Sequence, residues 1–184
     1  MTTIDDKCLD IFPHWLNALG DDLLLLLGVV EVKQLPVEAR QALVGAMNYV
    51  FKSLDLVPDG IDEIGYLDDA FVLRLGAARA VRENLDGLAG EKLAALEKLA
   101  AEAEQVRDFL GLALYKRFDT YVVALARGAA RGRAATDICA NDDVFREFAS
   151  DVRSFSKGYQ KPSFGKDRRS LIKLRAFFEA KLPE

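Results

Sequence analysis

Apolar residues recur along most of the chain at steps of three and four, the period at which side chains share one face of a helix. Residues 4 to 19 place Ile4, Cys8, Ile11, Trp15 and Leu19 at that spacing, with Pro13 a candidate kink or boundary. Gly20 followed by Asp21 and Asp22 reads as a stop and then an N-cap with an acidic first turn. A second helix is therefore expected over about 21–34, apolar on most faces through Val30 and so buried on several sides. Pro36 at a first-turn position opens a third helix to about Lys52, with Leu43, Met47, Val50 and Phe51 as its stripe. A fourth is expected from about Tyr66 to Asn84. After a loop at 85–91, Leu96, Leu99, Ala103, Val106, Leu110 and Ala113 alternate the two steps. That is about two heptads, too few for a coiled coil, and an antiparallel helical hairpin is the simpler reading.

The pattern continues through Phe118, Tyr121, Val122 and Leu125, with a break expected near Gly111. "RGAARGRAA" (127–135) is aperiodic and basic and reads as a connector, without the residue order of a phosphate-binding loop. Asp142 is the expected cap of a helix over about 143–157, a loop follows at 156–167, and a last helix runs from about 168 to 182. No segment shows a convincing strand pattern, and no internal repeat is present. The expectation is an all-α fold: one helical domain over residues 1–184, a bundle of six to eight helices.

Composition agrees. Apolar residues make up 51% of the 184 and charged residues 29%, the balance of a globular protein. Leu and Ala dominate, and both lose little rotamer freedom in a helix. Cys8 and Cys139 stand in no zinc or disulfide spacing. The single histidine, His14, excludes sites that need two histidine ligands and leaves little for a His-based triad. No Ser sits in a nucleophile-elbow pattern, so nothing supports nucleophilic catalysis. The N-terminus "MTTIDDKCLD" lacks the character of a signal peptide. The longest apolar run, Leu23 to Val30, falls well short of the ~20 residues that cross a bilayer. No transmembrane span is expected, and the expected location is cytoplasmic.

Charge is polarised. Residues 1–70 carry a net −9, residues 71–150 are neutral, and residues 151–184 carry +5. The basic C-terminal segment, about 151–184, interleaves Lys166, Arg168 and Arg169 with Phe155, Tyr159 and Phe164. It could meet an anionic membrane surface peripherally, or lie across the acidic front of its own chain. A pI near 5.2 argues against a dedicated nucleic-acid partner.

The densest candidate chemistry is "SLDLVPDGIDEIGYLDD" (53–69), with six carboxylates in seventeen positions. Pro58 ends the third helix near Ser53 or Leu54, and Asp59-Gly60 is a turn pair. Asp68 and Asp69 fall in the first turn of the fourth helix, where free N–H groups and the helix dipole favour negative charge. On this reading each acid caps or orients its neighbours. On the other reading, Asp55, Asp59, Asp62, Asp68 and Asp69 are oxygen ligands for Mg²⁺ or Ca²⁺. A calcium EF-hand is excluded: counted from Asp55, its third position is Val57 and its twelfth is Tyr66.

"MNYVFKSLDLVPDGIDEIGYLDDAFVL" (47–73) resembles the hallmark of the YkvA-like family, a bacterial domain of unknown function: an apolar helix, D-L-I-P-D, a short spacer, G-Y-L-D-D, and another apolar helix. Asp55, Leu56, Pro58, Asp59, Gly65, Tyr66, Leu67, Asp68 and Asp69 match it. The resemblance covers about residues 36–84. It departs at Lys52-Ser53-Leu54, where the family has Ser-Pro, and at Gly60, Asp62 and Glu63, where it has apolar residues and a proline. It implies a helix–acidic turn–helix module with no established activity, membrane-associated in many relatives. The expected function is a non-catalytic helical interaction or scaffold module with a protein partner and no cofactor. The alternative is a divalent-metal-dependent enzyme or sensor built on the acidic turn.

Overall fold

Thr3 starts the first helix. Its hydroxyl accepts from the Asp6 amide at 3.2 Å while the Asp6 carboxylate accepts from the Thr3 amide at 3.0 Å, a capping box that satisfies two open donors. The computed structural model, which describes residues 3–61 and 63–184, carries this helix without a break as α1 (Ile4–Val30). The two helices expected over 4–19 and 21–34 are therefore one. Pro13 only removes the bond that the Leu9 carbonyl would have accepted. Gly20 is a contact point and not a stop: a Cβ there would lie 3.1 Å from Ser156 Oγ, whose hydroxyl donates to the Gly20 carbonyl at 3.0 Å. No basic residue occupies the last turn of α1, and Arg40 of the next helix supplies the cap by donating to the Val30 and Val32 carbonyls.

The remaining helices are α2 (Val37–Tyr49), α3 (Leu67–Ala80), α4 (Gly90–Ala101), α5 (Ala103–Leu110), α6 (Leu112–Leu125), α7 (Ala135–Ala140), α8 (Asp142–Gly158) and α9 (Arg168–Lys181). Glu102 keeps helical dihedrals, φ −67° and ψ −13°, so α4 and α5 form one rod. Gly111, at φ +76°, makes the expected break before α6. Counting that rod once, the described residues hold eight helices, within the expected range, and the chain is 69% helical. The connector at 127–135 is a correction. It contains β1 (Ala129–Ala130) and β2 (Arg133–Ala134), paired antiparallel around Arg131-Gly132, both at positive φ as a two-residue hairpin turn requires. Two residues per strand are too few for alternation to register. Likewise α8 is capped by Asn141, one residue before the expected Asp142: its Oδ1 accepts from the amides of Asp143 and Val144 at 2.9 and 3.2 Å.

One hydrophobic cluster runs from Cys8 to Leu182. At its centre Phe12, Trp15, Phe71, Phe109 and Phe178 meet with ring centroids 5.1–5.8 Å apart. Beside them lies a buried cation. Arg74 of α3, 1% exposed, stacks over the Trp15 ring at 4.0 Å and pairs with Glu102 at 2.8 Å and Asp22 at 3.4 Å. It ties α1, α3 and the α4–α5 rod together.

α2 and α3 pack closely because they meet at small residues. A Cβ on Gly76 would lie 2.5 Å from Ala46 Cβ, and one on Gly45 would lie 2.7 Å from the Leu125 carbonyl carbon and the Ala126 amide of the α6 end.

The basic C-terminal segment folds onto the acidic front. α9 buries Leu171, Leu174 and Phe178, while Arg175 pairs with Asp5 at 2.6 Å, Arg168 with Asp6 at 2.6 Å, and Lys166 of the preceding loop with Asp10 at 2.5 Å. Arg169 has no ion-pair partner among the described residues. Exposed pairs of this kind are individually weak, so the apolar stripe holds α9 in place and the charges orient it.

Candidate functional site: the acidic turn between α2 and α3

α2 unwinds in steps: the amides of Val50, Phe51 and Lys52 bond to the carbonyls of Met47, Asn48 and Tyr49, three residues back. Tyr49, 1% exposed, is the last residue of the helix and the first part of the site. Its hydroxyl accepts from the Leu56 amide at 2.8 Å and donates to Asp68 Oδ2 at 2.5 Å. The same Asp68 oxygen accepts from the Val57 amide at 3.0 Å. One buried carboxylate oxygen thus fastens the end of α2, the loop before Pro58 and the first turn of α3.

The turn then closes on itself. Ile61 N donates to the Pro58 carbonyl at 3.0 Å, spanning Asp59-Gly60 as a β-turn, and Gly65 N donates to the Ile61 carbonyl at 2.8 Å. Gly65 is required by packing, since a Cβ there would collide with the Asp59 carbonyl and sit 2.9 Å from that of Ile61. Tyr66 occupies the N-cap of α3 at φ 65°, ψ 0°, and Glu63 is also left-handed at φ 82°. Both conformations are strained for side-chain-bearing residues and are held by contacts from the C-terminal half. Ser170 Oγ donates to Glu63 at 2.8 Å, and the Tyr66 ring packs at 5.3–6.0 Å against Phe155 and Tyr159. Lys181 donates to the Asp55 carbonyl at 2.9 Å.

The structure separates the expected ligands by what satisfies them. Asp68 Oδ2 is fully engaged, though it reaches back to the loop and does not cap α3. Asp55 Oδ1, Asp59 Oδ1, Asp68 Oδ1 and Asp69 Oδ2 are buried with no hydrogen-bond donor among the described residues. Asp62 lies outside the described residues. The four others are close enough to feel one another. Burial first, then the charges of Asp59 and Asp68, push the Asp55 carboxyl up to about 7, against a small opposite pull from Lys52 and Lys181. Burial also raises Asp59. The Asp68–Asp69 pair is raised by burial, with Asp69 lifted further by the charges of Asp68, Asp59 and Asp55. No three Asp, Glu, His or Cys side chains among the described residues already stand arranged around a metal position.

Sequence reasoning missed Tyr49, which looks like one more residue of an apolar helix, and it missed Lys52, Lys181 and Ser170. Lys52 reaches the Tyr121 hydroxyl at 3.2 Å and lies over the rings of Tyr49 and Tyr121. No local signal marks partners 69 to 126 residues away.

At the opposite end of the α2–α3 pair lies a cleft of about 250 Å³, shared with α6. Ala42, Gly76 and Ala126 give it small walls, Val123 stands at it 47% exposed, and Glu38 and Arg82 bring charges of both signs. Among the described residues no helix is long and apolar enough to cross a membrane.

No curated protein and no solved structure matches the chain. Residues 39–75, from the first turn of α2 through the acidic turn into α3, match the family model described as "Protein of unknown function (DUF1232)", so the segment that carries the YkvA-like resemblance is a module of that family.

Proposed function

We propose that the chain is a non-catalytic helical interaction module, in which the acidic turn locks α2 against α3 and the far end of that pair receives a protein partner. The observation that carries this reading is the cleft between α2, α3 and α6, with its small walls and its exposed valine. Its occupant is an aliphatic side chain flanked by charges of both signs, because the cleft is narrow, partly apolar and bordered by Glu38 and Arg82. A peripheral membrane role through the basic segment has less support, since Lys166 and Arg168 are engaged with Asp10 and Asp6.

Val123→Asp and Arg82→Glu test the reading, because both sites are exposed and both variants should melt like wild type. Purified under native conditions, the wild-type chain is expected to bring a stoichiometric partner, or a second copy of itself, that both variants lose. A complex that survives both substitutions refutes the cleft as the docking site.

A further inference from the structure

We propose that the free carboxylate oxygens of Asp55, Asp59, Asp68 and Asp69 close around one hard divalent cation, Mg²⁺ or Ca²⁺. This goes beyond the docking role and does not depend on it. The first observation is convergence. A loop, a β-turn and the first turn of a helix each deliver a carboxylate with one buried oxygen that no donor among the described residues satisfies.

The second observation is Asp69. It is 1% exposed, its Oδ2 has no partner, and the charges of Asp68, Asp59 and Asp55 all act on it. A buried, unpaired carboxylate is strongly unfavourable, and adding three like neighbours makes it more so. Positive charge is the missing component. The nearby lysines do not supply it: Lys52 is directed to Tyr121 and Lys181 to the Asp55 carbonyl, and neither forms an ion pair with these aspartates.

Asp68 adds a feature of ligand design. Tyr49 and the Val57 amide hold one of its oxygens and leave the other open, the way outer partners orient a metal-bound carboxylate. An all-oxygen donor set with no His or Cys selects a hard cation. The carboxylates do not yet surround a common point, so binding requires them to rotate inward. Cation uptake would therefore draw the loop and the α3 start together and stabilise the fold by mass action.

The test uses the full chain, stripped with chelator, at pH 7.5. Calorimetric titration with MgCl₂, CaCl₂ and MnCl₂ is expected to show one saturable site per chain for at least one ion, with a matching rise in melting temperature. Asp69→Asn and Asp59→Asn should each weaken that site about tenfold or more, the scale on which ligand-shell changes act. Asp86→Asn, on an exposed loop, should not. Absence of saturable heat at millimolar metal overturns the proposal. So does binding that both variants retain, or a melting shift that NaCl of equal ionic strength reproduces. Should the variants fail to fold, Tb³⁺ added to wild type decides: emission sensitised by Tyr49 and Tyr66 and displaced by Ca²⁺ supports the site, and no such emission overturns it.

Discussion

Tyr49 and Asp68 share a buried hydrogen bond of 2.5 Å between the last residue of α2 and the first turn of α3, and the Tyr49 oxygen also receives the Leu56 amide. Tyr49→Phe removes one donor and one acceptor at once and leaves two buried groups unmatched. The expected loss is about 1–3 kcal/mol, the cost of stranding a buried polar group. Urea unfolding of the two proteins measures it. A variant within error of wild type would show that the apolar packing of the ring, and not its hydroxyl, holds the turn.

Two helical glycines should respond in opposite directions to alanine. At Gly45 a Cβ meets the backbone of Leu125 and Ala126 at 2.7 Å, and backbone cannot rotate aside. Overpacking of this kind costs about 1–3 kcal/mol and outweighs the gain in helix propensity. At Gly28 the nearest atom is Lys92 Cε at 3.8 Å, so alanine fits and should stabilise by about 0.5–1 kcal/mol. Melting temperatures that move in the same direction would contradict the close α2–α6 approach.

Arg74→Met tests the buried cation. The thioether can fill part of the space over Trp15, but Asp22 and Glu102 lose their partner. Breaking a buried pair from one side costs about 3–5 kcal/mol, so the variant should unfold at markedly lower denaturant. If stability is preserved, the arginine is serving as packing and its charge is dispensable.

Asp22 gives stability a pH dependence of known sign. Burial raises its carboxyl from the ordinary 3.8 to about 6, more than the Arg74 charge beside it pulls it down. The folded chain then holds this proton more tightly than the unfolded chain. The contribution is fully present below about pH 4 and is lost as pH rises through about 6. Asp22→Asn should remove that part of the slope between pH 4 and 7 in a melting series. An unchanged slope would place Asp22 in contact with water.

The helices were legible wherever a single apolar stripe faces a single core. The periodic positions Leu171, Leu174 and Phe178 are all buried in α9, and Gly111 breaks the rod where its isolated position in the pattern suggested. Gly20 misled because the features that mark a helix end, a glycine followed by two acids, also suit a crossing point beside Ser156 and an inward carboxylate for Arg74. The hairpin at Ala129–Ala134 was illegible for a different reason: its turn depends on Arg131 at positive φ, which no local preference favours.

Local residue chemistry alone accounts for the all-α class, the acidic turn between two apolar helices, and the polarity of charge along the chain. These are properties of neighbours within one or two turns, where periodicity, proline and glycine act directly. Which oxygen of which aspartate is satisfied is a different matter. It depends on Tyr49 reaching across to Asp68, on α9 bringing Ser170 and Lys181 to the turn, and on a fold that buries Asp69 without a donor. Burial sets the free energy of a carboxylate, and burial is created by segments distant in the chain, so the turn's chemistry emerges only once those segments pack around it.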